Sequence, residues 1–179
     1  MPRIRTDVAR DDKVDEILKA ACQRLLDGGY PALSVIDLSR QLSLAQNAIY
    51  WYFPTKDHLF VAAMERILHD ILDRLPPQEG PCIEGVLWFA ERLSEFQELR
   101  ITMRERAQRS KVVAAFERDV VAWMRGLLVG AISHDVQAED LDPIVDAVMA
   151  LCEGVLLREF SNSQRSQLIR FGYERLVSP

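Results

Sequence analysis

Hydrophobic residues recur at helical spacing along almost the whole chain, and no segment alternates convincingly as a strand. The first such segment predicts a helix over 13–27 that ends at Gly28 and Gly29. Its apolar stripe consists of Val14, Ile17, Leu18, Ala21, Cys22, Leu25 and Leu26. The pattern predicts an all-α protein with about nine helices in total.

Two short helices joined by a tight turn are predicted next. Ser34 and Asp37 have the spacing of a capping pair, so Ser34 is expected to begin a short helix that buries Leu38 and Leu42. Ser43 and Gln46 repeat that spacing, and the second helix is expected over 44–52. A helix-turn-helix presents its second helix to the major groove of DNA, so this segment predicts an N-terminal DNA-binding domain.

The rest of the chain predicts longer helices and one boundary. Thr55 is expected to cap a helix over 56–74, and Asp57 suits the positive end of its dipole. Pro and Gly in 76–81 mark the clearest break. Further helices are expected over 83–96, 98–109, 112–133, 143–160 and 165–177. The predicted organisation is a helix-turn-helix domain with an N-terminal arm over 1–55, a connecting helix over 56–75 and a helical bundle over 82–179.

Charge is the main argument against DNA binding, because the 179 residues have a formal net charge of -5. Residues 1–75 carry 10 basic and 11 acidic side chains, against 12 and 16 in the remainder. Arg3, Arg5 and Arg10 are expected in a flexible N-terminal arm. Phosphate neutralisation depends on local basic density, so modest and salt-sensitive binding is predicted.

Composition favours a soluble, cytoplasmic protein. No apolar run is long enough to span a membrane, and the N-terminus has no signal-peptide core. Cys22, Cys82 and Cys152 show neither metal-ligand spacing nor a disulfide framework, and we expect free thiols in a reducing compartment. His58, His69 and His134 do not cluster, and no nucleophile motif, phosphate loop or carboxylate pair is present. We expect no cofactor, no metal and no enzymatic activity.

The segment 14–60 resembles the DNA-binding domain of the TetR family of bacterial regulators. The features that carry the resemblance are the ILKAA start of the first helix, the Gly-Gly loop, Ser34, Leu38, Ile49-Tyr50, Tyr52-Phe53, Lys56 and Leu59. The resemblance implies an all-helical homodimer that binds operator DNA and, through its C-terminal domain, a small-molecule effector. The chain departs from the family at Ser43 and Ala45, where a turn glycine and a capping serine are absent. We therefore expect Ser43 to cap Gln46 and to start the second helix earlier.

The candidate DNA contacts lie in and around the predicted motif. Gln46, Asn47 and Ala48 stand at the start of the second helix, where Gln or Asn can pair with adenine and a methyl can touch thymine. The resemblance implies phosphate contacts for Tyr50 and Tyr52 and for Ser34, whose capping role is an equal explanation, and it implies that Phe53 lies in the core. Trp51 either stacks on the domain or lies along the DNA backbone. Lys56 opposes the dipole of its helix, which favours a phosphate partner, and Arg40 is a weaker candidate.

The last two helices are the candidate dimer interface. Residues 147–157 carry one charge in eleven positions, so this helix is either central in its domain or at an interface. The resemblance implies that the last two helices pair with those of a second subunit. The residues expected there are Val148, Cys152, Val155, Leu156, Leu168, Ile169, Gly172, Tyr173 and Leu176.

An effector pocket is expected among the middle helices, although ordinary core would give the same pattern. Its candidate residues are Trp88, Phe89, Phe96, Met103, Phe116, Trp123 and Met124. The basic run Arg100, Arg104, Arg106, Arg109 and Lys111 is interpreted as a solvated face; facing the DNA-binding domain or an anionic effector is the alternative. The functional prediction is a repressor released by a small molecule. The alternatives are a helical ligand-binding or adaptor protein that has lost specific DNA readout, and a small helical enzyme.

Overall fold

The chain folds into α-helices throughout the part that the computed structural model describes, residues 5–74, 82–133 and 136–177. Within these ranges there are nine helices and no strand, which confirms the predicted all-α class. They are α1 (Arg5–Ala32), α2 (Val35–Gln41), α3 (Gln46–Tyr52), α4 (Lys56–Leu72), α5 (Cys82–Ser94), α6 (Gln97–Ala107), α7 (Lys111–Ile132), α8 (Leu141–Leu156) and α9 (Asn162–Val177). The predicted break over 76–81 lies outside the described residues, as does His134.

The helices form two compact units, and the division falls within α6 and α7. The first unit holds the described residues up to Asp73 together with Ile101–Phe116. The second holds Arg74–Arg100 and the described residues from Glu117 onward. The sequence pattern gives a position of the basic run in 100–111 against the N-terminal helices only as an alternative interpretation.

The first unit is built on the packing of α1 along α4. Large apolar side chains of both helices are fully buried between them, and α2 and α3 contribute one such side chain each. These core residues are Ile17, Ala21, Leu25, Leu38, Ile49, Leu59, Phe60 and Ala63. Leu26 is expected in this stripe but is 51% exposed and so lies outside the core.

The N-terminal helix differs from its predicted start and agrees with its predicted end. α1 begins at Arg5, so Arg5 and Arg10 lie in the helix rather than in an arm, and Arg3 lies outside the described residues. Helical geometry breaks at Gly28 and at Gly29, which has a φ of 65°. A β-carbon on Gly28 would lie 2.8 Å from the β-carbon of Ala32, so the turn after the helix is too tight for a side chain there. The break confirms the two glycines as the end of the first regular helix.

The second unit has its own core, in which α8 packs against α9 and both pack against α5. Its buried residues are Ile83, Ala90, Ile132, Val145, Val148, Val155, Ile169, Tyr173 and Val177. Cys152, Leu151 and Leu176 pack against this cluster from its edge. Within the described ranges, none of the helices combines the length and the apolar character needed to cross a membrane.

Most of the predicted dimer-interface residues lie in the interior of this unit instead of on its surface. Val148, Val155, Leu156, Ile169 and Tyr173 are all buried. Of the remaining four, Leu168 is 39% exposed, while Cys152, Gly172 and Leu176 are half-buried. The sequence pattern could not separate the two sides of α8, because a helix that is apolar almost all round shows no polar face to mark its solvent side.

Candidate nucleic-acid interface

The second helix begins at the predicted cap. The hydroxyl of Ser34 accepts a hydrogen bond from the backbone N–H of Asp37 at 3.3 Å, and Ser34 has an extended backbone. This confirms Ser34 as the N-cap of α2. The side chain is half-buried, and a hydroxyl that accepts one hydrogen bond can still donate its own to a phosphate oxygen.

The turn between α2 and α3 is closed by backbone hydrogen bonds around Ser43. The N–H of Leu44 donates to the carbonyl of Ser39 at 2.8 Å, and the N–H of Ser43 donates to the carbonyl of Arg40 at 3.3 Å. This pair of bonds is the Schellman pattern of a helix C-terminus, in which the residue after the cap adopts a positive φ. Ser43 has a φ of 53°, so a serine occupies the conformation that a turn glycine usually takes.

The predicted cap at Ser43 is wrong. α3 begins at Gln46, and its N-cap is Ala45, which has no side chain able to accept a hydrogen bond. The reason is that the left-handed conformation of Ser43 belongs to the end of α2, so the chain needs two further residues before it can re-enter a helix. α3 therefore does not start early.

α3 has one buried face and one exposed face. Ile49 is completely buried and fixes the helix to the unit. The side chains on the other face are exposed, with Tyr50 at 42% and Trp51 at 65%. Gln46 and Asn47 are exposed in the first turn, and Ala48 is half-buried. The exposed face of α3 thus presents two amide side chains in its first turn and two aromatic side chains in its last turn.

The aromatic run ends in the core, as expected. Phe53 is buried at 8% exposure, and Tyr52 is half-buried. The rings of Trp51 and Tyr52 meet edge to face, with centroids 4.8 Å apart. Trp51 therefore stacks partly on its own helix while leaving most of its surface exposed. Arg40, on α2, is exposed and lies 3.6 Å from the carboxylate of Asp37.

The fourth helix begins with an N-cap at Thr55, followed by the half-buried Lys56 as its first residue. The hydroxyl of Thr55 accepts from the N–H of His58 at 3.3 Å, which confirms Thr55 as the N-cap of α4. The ammonium of Lys56 lies 4.1 Å from the centroid of the Tyr30 ring. Within the described part of the chain no carboxylate forms an ion pair with this ammonium, because its neighbour Asp57 is bound elsewhere.

Asp57 is held by a residue of the distant segment 101–116. Arg106 donates from Nε to Oδ1 at 2.7 Å and from Nη2 to Oδ2 at 3.0 Å. The Tyr30 hydroxyl donates to Oδ1 at 2.7 Å. The guanidinium also lies 4.2 Å from the Tyr30 ring centroid, and that ring packs edge to face on Phe60 at 5.1 Å. We call Tyr30, Lys56, Asp57 and Arg106 the α4 clamp.

The electrostatics of the α4 clamp keep Asp57 ionised. Burial alone would raise the pKa of this carboxyl, but hydrogen bonds from Arg106, Tyr30 and Ser110 outweigh it and lower the pKa from 3.8 to about 2. Burial and the hydrogen bond to Asp57 raise the pKa of the Tyr30 hydroxyl, which therefore remains a donor. Burial and the nearby positive charge of Arg106 lower the pKa of Lys56.

Arg106 was not identified as a site residue from the sequence. The sequence favours a solvated basic face, with a position against the DNA-binding domain as an alternative, and the structure supports that alternative for Arg106, since its guanidinium makes a bidentate pair with Asp57 whose two side chains are 31% and 16% exposed. Asp57 and Arg106 are 49 positions apart, so no local spacing relates them. The remaining signal was an odd density of arginine in 100–109, which has several explanations.

The structure divides the predicted effector residues between the two units. Met103 and Phe116 belong to the first, and the other five to the second, where the rings of Phe89 and Trp123 meet at 6.1 Å. A shallow groove of about 440 Å³ lies between α1 and α2, and none of the predicted effector residues lines it. In the part of the chain that is described, no three His, Cys, Asp or Glu side chains form a group that could hold a metal ion.

Known proteins resemble both the first unit and the whole fold. Residues 17–63 match the family model for bacterial regulatory proteins of the tetR family. A TetR transcription regulator from Haloarcula marismortui shares the fold with a TM-score of 0.73 at 17% identity, over 93% of this chain and 97% of that one. GusR from Salmonella enterica shares the fold with a TM-score of 0.71 at 17% identity, over 93% of this chain and 95% of that one.

A third similar structure contains a small molecule. It is a transcriptional regulator from Saccharomonospora viridis in complex with choline, with a TM-score of 0.72 at 16% identity over 92% of this chain and 96% of that one. The family-model match and the shared fold confirm the resemblance drawn from the sequence: residues 17–63 are similar to the tetR family of bacterial regulatory proteins, and the chain shares the fold of the solved regulators.

Proposed function

We propose that this protein is a repressor that binds operator DNA as a homodimer and is released by a small-molecule effector. The observation that carries the proposal is the exposed face of α3, where Gln46, Asn47, Tyr50 and Trp51 stand out while Ile49 anchors the helix. A recognition helix needs this division, because base edges and phosphates can be reached only by side chains that the domain leaves uncovered.

Each candidate contact has a proposed role. Gln46 and Asn47 contact base edges in the major groove. Ala48, in the same turn of α3, contacts a thymine methyl group. Tyr50 and Trp51 lie against the DNA backbone, and Tyr52 completes the aromatic group at the end of the helix. Lys56 and Arg40 contribute positive charge to phosphates, with Ser34 at the start of α2. These contacts fix register and orientation on the duplex.

The altered turn does not favour a protein without DNA readout. The absence of the turn glycine motivated that alternative, but Ser43 adopts the positive φ that the turn requires, and the backbone hydrogen bonds around it are formed. The geometry of the motif is thus preserved at the expense of some strain in Ser43.

The homodimer is proposed to form through the exposed side of α8 and α9. Leu157, Leu168 and Phe171 are exposed at 49%, 39% and 63%. Such side chains on the last two helices provide apolar area that a second subunit can cover. The buried residues of the same helices would then support this face from below.

Release is proposed to be a population shift. An effector that binds better to a form in which the two recognition helices no longer match successive major grooves lowers operator affinity by that difference. The effector site is proposed among the large apolar side chains of the second unit, Trp88, Phe89, Phe96, Trp123 and Met124, and the coupling through α4. The choline complex of the Saccharomonospora protein supports a small organic effector as a class. We propose that the protein acts in the cytoplasm as a regulator and has no catalytic activity.

The test is binding of the purified chain to the DNA that flanks its own gene, measured by fluorescence anisotropy across a salt series. We expect saturable, sequence-selective binding that weakens with salt and is reduced in Tyr50→Phe and Lys56→Ala. Lys19→Ala, at an exposed position of α1 that belongs to none of the proposed contacts, serves as the control for Lys56→Ala. Equal binding to flanking and scrambled duplexes at low salt would reject the proposed function.

A further inference from the structure

Among the described residues, Lys56 forms no ion pair, and the carboxylate next to it in the chain is bound by another residue. Its ammonium lies over the Tyr30 ring, while Asp57 is bound by the guanidinium of Arg106 and the hydroxyl of Tyr30. Asp57 lies within electrostatic reach of Lys56, since its charge acts on the pKa of that lysine. Without Arg106, the carboxylate would be released to pair with the ammonium.

We propose that Arg106 is a positioning residue for operator binding, which withholds Asp57 from Lys56 and so leaves the lysine free for a DNA phosphate. The bidentate pair uses both oxygens of the carboxylate. It also cancels a negative charge at the start of α4, where a phosphate would otherwise be repelled. The inference rests on the proposed function, because the phosphate is that of the operator.

The geometry gives Arg106 a second contribution through Tyr30. The guanidinium and the Lys56 ammonium both lie about 4 Å from the centre of this ring, which is fixed by Phe60 and by its hydrogen bond to Asp57. The ring therefore holds the Lys56 stem in place while the two positive charges disfavour each other. A DNA phosphate bound to Lys56 relieves this repulsion. Operator binding and the contacts of the α4 clamp therefore stabilise each other.

The sharpest test is removal of the carboxylate in a chain that already lacks the arginine. In Arg106→Met, the freed Asp57 competes with phosphate for Lys56, and we expect operator affinity to fall about tenfold. In Asp57→Asn with Arg106→Met, nothing competes, and affinity should return to within about threefold of the wild type. Because the double variant leaves no uncompensated buried charge, it is also the variant most able to fold.

Two further variants separate positioning from general electrostatics. Arg66→Met removes an arginine charge from another ion pair of the first unit, the one between Arg66 and Asp15. The Arg66 side chain is 33% exposed, which is similar to the exposure of Arg106. It should change affinity far less than Arg106→Met. In a Lys56→Ala background, Arg106→Met should cause no additional loss, because the lysine through which Arg106 acts is absent.

The measurement is anisotropy of the full chain with the duplex flanking its own gene at about 0.1 M salt, after circular dichroism has shown that each variant is folded. The inference is overturned if Arg106→Met binds like the wild type, if the double variant stays as weak as the single one, or if Arg66→Met is equally weak. Absence of selective binding by the wild type rejects the proposed function together with this inference. Weakening by Lys56→Ala without weakening by Arg106→Met rejects the inference alone.

Discussion

Ser43 is the residue whose conformation differs most from what its chemistry favours. A left-handed backbone is costly for a residue with a β-carbon, and Ser43 holds it because the Schellman bonds at the end of α2 require it. Ser43→Gly should therefore raise the free energy of unfolding by about 1 kcal/mol. Urea unfolding followed by circular dichroism measures this.

The matched control at this position is Ser43→Ala. It keeps the β-carbon that makes the positive φ costly and removes only the hydroxyl. Alanine should leave stability close to that of the wild type. Equal stability of the glycine and alanine variants would show that the positive φ costs nothing here.

Asp57 predicts a specific pH dependence of stability. Its folded pKa, about 2, is below the ordinary value of 3.8, so the carboxylate stabilises the fold above pH 4 and loses this contribution as the pH falls towards 2. The difference in unfolding free energy between the wild type and Asp57→Asn should therefore shrink over that interval. A difference that stays constant from pH 7 to pH 2 would contradict the ionised, hydrogen-bonded state of Asp57.

At the scale of single elements, α3 is the least well capped helix of the DNA-reading motif. Its N-cap is Ala45, whereas α2 and α4 are capped by Ser34 and Thr55. Ala45→Ser should add a hydrogen bond to the first turn and stabilise the protein by about 1 kcal/mol. The gain should appear in unfolding and as slower hydrogen exchange of the amides of α3.

The same substitution three residues later gives the control. Ala48 lies inside α3, so Ala48→Ser offers no cap and should stabilise nothing. If both serine variants changed stability equally, the missing cap at Ala45 would not be the reason.

Two glycines predict opposite effects of one substitution. A β-carbon on Gly172 of α9 would collide with Leu151 of α8, so Gly172→Ala should lower stability by about 1 kcal/mol. A β-carbon on Gly126 of α7 would meet nothing within 4 Å, so Gly126→Ala should raise stability by a similar amount through helix propensity. Thermal melts of the two variants test this, and a shift in the same direction for both would contradict the packing of α8 on α9.

The sequence was sufficient for the elements and insufficient for their contacts. Apolar spacing located the described helices, and caps at Ser34 and Thr55 could be recognised because the capping residue and its partner are three positions apart. The start of α3 was missed because whether a serine adopts a positive φ depends on the end of the preceding helix. The bond between Asp57 and Arg106 was missed because it depends on how the chain folds back over 49 positions.

At the scale of the molecule, the surface of the second unit predicts how two copies meet. Phe171 is the most exposed large apolar side chain there, at 63%, and the guanidinium of Arg175 lies 5.7 Å from its ring. Phe171→Arg should convert the proposed dimer to a monomer and weaken operator binding, because a monomer would contact only one half-site. Sedimentation velocity checks the oligomeric state, with the exposed Leu26→Arg of the first unit as control. A dimer that persists in Phe171→Arg would place the interface elsewhere.

The central claim is that this chain reads a specific DNA sequence with two copies of α3. Selection from a random duplex library at about 0.1 M salt, followed by hydroxyl-radical footprinting of the enriched duplex, tests it most directly. We expect an inverted repeat that is protected in two successive major grooves, about 34 to 36 Å apart. We also expect that the double variant Tyr50→Phe with Lys56→Ala enriches no sequence. A library that shows no enriched sequence after selection by the wild-type chain would contradict it.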